Sequence, residues 1–88
     1  MRIDKFLKVS RILKRRTVAQ EAAKNGKVLV NGREAKPGTR VNAGDVVEID
    51  YAVGKLRFRV LAVAESVKKN DAASLYEILT DSEEQKND

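Results

Sequence analysis

The sequence predicts an α+β domain in which two short N-terminal helices pack on a small, mostly antiparallel β-sheet. Three observations carry that prediction. Near the N-terminus apolar residues recur at helical spacing, with Ile3, Phe6 and Leu7 at i, i+3, i+4, followed by Val18, Ala19, Ala22 and Ala23. From Lys27 onward the pattern changes to short β-rich runs bounded by turn residues, Val46 to Tyr51 being the strongest. Asn31-Gly32 stands between two such runs, and both positions tolerate the positive φ that a type I′ hairpin turn requires.

Taken in order, the first helix is expected from about Arg2 to Val9. Its stripe of Ile3, Phe6 and Leu7 faces the core, while Arg2, Lys5 and Lys8 recur at spacing three on another face. Ser10 and Arg11 end it, and Ile12 and Leu13 make a connector anchored by two buried side chains. Thr17 with Gln20 matches a capping box, which starts a second helix at Thr17 and runs it to Asn25. An N-cap one or two residues earlier fits equally well. Val18, Ala19, Ala22 and Ala23 form its buried face, and Gly26 sits where a left-handed residue would stop it.

The β portion begins with Lys27 to Val30, turns at Asn31-Gly32, and returns through Arg33 to Ala35. Lys36-Pro37-Gly38 is a break, and Asn42 to Asp45 a tight turn ahead of the strand Val46 to Tyr51. Ala52-Val53-Gly54 joins this to a strand expected from Lys55 to Ala64, with Arg57 and Arg59 on a wet face. Lys68 to Ser74 forms a helical turn or two, and Leu75 to Leu79 a last short strand. The segment from Thr80 has no apolar residue and is expected to be a disordered acidic tail, giving one domain over residues 1–79 and a tail over 80–88.

Charge points to function. Residues 1–60 hold 15 Lys and Arg against 6 Asp and Glu, a net of +9, whereas residues 61–88 hold 3 against 7, a net of −4. Within residues 1–16 the balance is 7 against 1. This asymmetry predicts a polyanionic partner met by the N-terminal part. Arg15 and Arg16 lie at the start of the second helix, where free N–H groups also attract anions. A cation there opposes the helix dipole, so its presence favours a binding role.

Other classes are disfavoured. With no Cys and no His, disulfides and the usual zinc sets are excluded, and no catalytic residue, metal or cofactor is expected. Glu48 and Asp50 alternate along a strand as its solvent face rather than forming an acid/base pair. No signal peptide or membrane span is expected, and Cys-free composition suits a cytoplasmic location. Phe6 and Phe58 lie on apolar faces, so base stacking on an aromatic sheet is disfavoured and recognition of shape and backbone fits better.

The segments RIDKFL at 2–7, KRRTVA at 14–19, NGKVLVNG at 25–32, AKPGTRV at 35–41 and GDVVEI at 44–49 resemble the S-four RNA-binding domain, named after the fourth ribosomal protein of the small subunit. The resemblance covers residues 1–60 in the family's order. It implies an alpha-L type two-helix unit that binds structured RNA through its basic helical face. Catalytic modules of the kind found in pseudouridine synthases or tyrosyl-tRNA synthetases are not expected. The opening MRIDKFLKVSRILKRRT is similar to the bacterial RqcP family, relatives of the fifteen-kilodalton heat-shock proteins, whose long basic C-terminal extension is replaced here by the acidic tail.

That likeness implies binding, as a monomer, to large ribosomal subunits obstructed by peptidyl-tRNA. It implies contact with ribosomal RNA and tRNA, a tailing factor on the same subunit, and support for C-terminal tailing of stalled nascent chains. Carried over by position, the motif puts Arg2, Lys5, Arg11, Lys14, Arg15, Arg16 and Thr17 on the RNA surface, and the cationic row of the first helix adds Lys8. Neither Arg2 nor Arg16 belongs to an apolar stripe, so replacing either is expected to remove binding and leave the fold intact. Two other classes stay open, a DNA-binding module reading base edges through Gln20 and Asn25, and an adaptor for an acidic protein.

Overall fold

Helix α1 (Ile3–Val9) buries Ile3, Phe6 and Leu7 completely, as its spacing predicts. Helix α2 (Arg16–Lys24) packs beside it through Ala19 and Ala23, whose small side chains let the two helices approach closely. In the computed structural model, which describes residues 1–51 and 54–79, five strands follow: β1 (Val28–Val30), β2 (Arg33–Glu34), β3 (Val46–Tyr51), β4 (Gly54–Val60) and β5 (Tyr76–Leu79). They form one sheet in the order β2-β1-β3-β4-β5, and every pairing is antiparallel. A short 3-10 helix (Lys69–Leu75) leads into β5. The expected joint at Ala52-Val53 and the expected tail over 80–88 lie outside the described residues.

The hairpin turn has the required geometry, with φ of 53° at Asn31 and 84° at Gly32. Gly26 takes φ 72°, the left-handed position that lets the chain leave α2 and enter β1 across only Asn25, Gly26 and Lys27. The core lies between helices and sheet, where Phe6 of α1 stacks on Phe58 of β4 at 6.1 Å between ring centroids. Phe58 in turn meets the edge of Tyr76 on β5 at 5.7 Å. Val28, Val47, Ile49 and Val60 complete the inner face of the sheet. Each large side chain buried this way contributes about 1.5–3 kcal/mol, which a domain without disulfides or metals needs.

The helical unit is tied to the sheet by its own N-terminus. The Ile3 N–H donates to the Thr39 carbonyl at 2.7 Å, the Asp4 N–H to Pro37 at 3.3 Å, and the Val41 N–H to Met1 at 2.8 Å. Arg2 and Arg40 form an isolated antiparallel bridge there. Carbonyls of the 36–41 loop thus satisfy the N–H groups that open α1, in place of a side-chain cap.

Four expectations are corrected. Helix α2 starts at Arg16 with Arg15 as N-cap and no side-chain cap, so the Thr17–Gln20 capping box does not form and the earlier start is the one adopted. Val18 is 47% exposed, because it lies a hundred-degree step away from the face that Ala19 and Ala23 bury. Ile12 and Leu13 are half-buried against the core edge rather than fully enclosed. Strand β4 ends at Val60 instead of Ala64. Its partner β3 begins at Val46 opposite Arg59, so beyond Val60 the ladder has run out, and the Leu61 N–H turns to the Leu75 carbonyl.

Candidate nucleic-acid interface

The single acid among the first sixteen residues organises the cationic face. Asp4 is fully buried, and its Oδ2 accepts from Arg2 Nη2 at 3.1 Å, Arg16 Nε at 3.3 Å and Gln20 Nε2 at 3.1 Å. Its Oδ1 accepts from the Lys5 backbone N–H at 2.7 Å. Two guanidiniums, one preceding α1 and one opening α2, are therefore pinned to one carboxylate. Burial pushes the Asp4 carboxyl up, but the hydrogen bonds from Gln20, Arg16 and the Lys5 backbone, together with the Arg16 charge, outweigh it and hold the group below its usual range.

The clamp keeps the arginines available. Their side chains remain 47% and 41% exposed, and each bond to Asp4 uses one of the five donors of a guanidinium fork. Two positive charges meet one negative charge, so the cluster keeps a net charge of +1 at the N-terminus of α2. That is where backbone N–H groups already favour an anion. The Arg2 guanidinium passes beside Gly38, where a Cβ would meet it only at an ordinary contact distance of 3.9 Å. The Arg16 position also corrects one expectation: Arg2 and Arg16 do serve the fold, as counter-charges of a buried carboxylate.

The remaining predicted residues divide. Lys8, Arg11 and Lys14 gather along a groove of about 440 Å³ between the end of α1 and residues 65–69. Lys5 is drawn to the same side, where its Nζ pairs with Glu65 at 2.6 Å. Arg15 and Thr17 are exposed at the start of α2. On the outer sheet face, by contrast, Arg57 lies opposite Glu48 at 3.8 Å and Arg59 opposite Glu77 at 3.3 Å, each pair in direct cross-strand register. No group of acidic side chains able to hold a metal occurs among the described residues.

The sequence reading missed Asp4, Gln20 as its donor, Glu65 and Lys69. Asp4 could have been found: it is the lone acid in a cationic stretch and neighbours the apolar stripe at Ile3 and Leu7. Glu65 and Lys69 gave no such signal, because only the path of the chain after β4 brings them to α1.

This geometry, a paired-helix cationic face on a five-stranded antiparallel sheet, is shared with known proteins. The S4 domain family model matches residues 1–47, and the chain belongs to that family. Within it, the chain is similar over almost its whole length to the RQC P-site tRNA stabilizing factor of Streptococcus pneumoniae, 48% identical over 87 residues that cover 99% of each protein. Among solved structures, the trimeric Heat Shock Protein 15 of Vibrio cholerae superposes with a TM-score of 0.84 at 26% identity, covering 98% of this chain and 87% of that one. The solution structure of the hypothetical protein HP1423 gives 0.78 at 33% identity, covering 91% and 98%.

Proposed function

We propose that the chain is a non-catalytic RNA-binding factor that acts in the cytoplasm on large ribosomal subunits obstructed by peptidyl-tRNA. It contacts ribosomal RNA and tRNA as a monomer and, beside a tailing factor, supports C-terminal tailing of stalled nascent chains. The observation that carries this reading is the pinning of Arg2 and Arg16 on buried Asp4. Phosphate recognition gains most when donors are oriented before the ligand arrives, because the ordering cost is then met in folding. The S. pneumoniae relative and its kin are RQC P-site tRNA stabilizing factors, which supports the choice of tRNA and of ribosome quality control.

The DNA-binding alternative loses ground, since Gln20, one of its two candidate base readers, is bound to Asp4. The test is the affinity of purified variants for large subunits carrying peptidyl-tRNA, measured across a salt series. Arg16→Ala should weaken binding by about tenfold or more and lower the magnitude of the salt slope by about 0.7–0.9. Because Asp4 loses a partner, the variant should also be less stable by about 1–2 kcal/mol, so the comparison is made at a temperature where circular dichroism shows it folded. Wild-type affinity and slope from folded Arg16→Ala would overturn the reading.

A further inference from the structure

The groove beside residues 65–69 collects charge that the clamp does not explain. Lys8, Arg11 and Lys14 line one wall, from α1 and the connector to α2, and Lys69 stands on the other. Val9 and Val67 supply apolar surface between them. The acid in the groove is Glu65, which is 79% exposed at its side chain and held below the usual carboxylate range by the hydrogen bond from Lys5 and then by the lysine's charge. Four cations thus line a groove that holds one solvated carboxylate, and that carboxylate is paired with a fifth cation, Lys5.

A second observation points the same way. Arg11 has φ 64°, one of two described non-glycine residues with positive φ. An L-residue there costs about 1–2 kcal/mol, which glycine largely avoids. Asn31, the other, is a residue type at ease in its turn. Arg11 is not, and its position projects a guanidinium into the groove wall.

We propose that this groove is a second phosphodiester-binding subsite of the RNA face, completed by Lys69 and gated by Glu65. The inference rests on the RNA-binding reading above and extends the contact surface beyond the 1–47 family match, onto the chain that follows β4. In the free protein Glu65 occupies Lys5. When an RNA backbone enters, its phosphate takes the place of the carboxylate among the cations, and Glu65 swings out into solvent, where its exposure already lets it go. The groove therefore selects for a chain of phosphates that spans from the Asp4 clamp across the end of α1.

Because Glu65 opposes the ligand and Lys69 attracts it, the two substitutions should move affinity in opposite directions. Lys69→Ala should weaken binding to peptidyl-tRNA-obstructed large subunits by about threefold to tenfold and lower the magnitude of the salt slope by about 0.7–0.9. Glu65→Gln should tighten binding by about twofold to fivefold, since it removes a competing charge and releases Lys5. Both residues are exposed, so neither change threatens the fold. If both variants bind like wild type while Arg16→Ala binds weakly, the subsite is refuted and the clamp alone carries RNA. If all three bind like wild type, the RNA face itself is refuted. If Glu65→Gln tightens binding in the wild-type background but has no effect in the Lys69→Ala background, the two residues act on one phosphate.

Discussion

Among the described residues, Arg57 and Arg59 on the sheet each face a glutamate across the ladder, whereas on the helical side Arg2 and Arg16 share one aspartate. Glu77 is open to water at 53% of its side chain and Glu48 partly so at 30%, and each of these acids faces one arginine across the ladder. Such pairs are worth about 0–1 kcal/mol and leave little field beyond them. Asp4 is wholly buried, so it depends on its partners, and two cations on one anion leave a surplus that reaches outward. Arginine count alone does not set the outward field. The ratio of cations to acid does.

The sharpest way to break this comparison is Asp4→Asn. The amide keeps the shape but not the charge, and its own N–H₂ faces the guanidiniums. Stability should fall by about 2 kcal/mol in urea denaturation, and affinity for large subunits by about tenfold, although no residue of the proposed contact surface has changed. A variant as stable as wild type would put the clamp in the same class as the sheet pairs.

Acid titration sharpens the same contrast. The folded Asp4 carboxyl sits below its ordinary value of 3.8, so its contribution is complete above that pH and is lost as pH falls below it. The stability gap between wild type and Asp4→Asn should therefore hold through neutral pH and close below about 3.8. A gap of constant size down to strong acid would mean that the hydrogen bonds, not the charge, hold the site.

Smaller effects test the joint and the far side. Gly26→Val strains the left-handed residue that links α2 to β1 and brings a Cβ within 3.0 Å of Glu34 Oε1. That carboxylate can swing away, so the backbone dominates and the loss should be about 1–2 kcal/mol in denaturation midpoint. An unchanged midpoint would show that α2 can end another way. Least of all, Arg57→Ala should change affinity by less than about twofold, because its field is already matched by Glu48. A tenfold loss there would extend the interface to the sheet and dissolve the distinction.

Periodicity made most of the fold legible. The stripe of Ile3, Phe6 and Leu7, the Asn31-Gly32 turn and the strand Val46–Tyr51 each follow from local rules that tertiary contacts reinforce. Local rules failed where a long-range partner decided the outcome. Gln20 abandoned a capping box for a buried carboxylate, and β4 stopped where β3 gave it no further partner. The candidate site could be listed from the sequence as a set of cations but not as an arrangement. Spacing placed Arg2 and Arg16 on neighbouring helices, yet their meeting at Asp4, and the withdrawal of Lys5 toward Glu65, depend on a packing angle that no spacing encodes.

The hydrogen bonds that tie residues 1–4 to the 37–41 loop also set an order in time. During synthesis α1 is made before the loop that secures it, and its seven residues fall below the ~12–15 that an isolated helix needs in water. It must wait for a loop some forty residues long to close, and that closure carries an entropic cost. Until then Arg2 and Arg16 are two cations on a flexible chain. Afterwards they are a pair with a fixed separation. A partly unfolded molecule has these charges without their spacing, so on the proposed reading it should hold RNA with less discrimination than one whose first residues have found the forty-first.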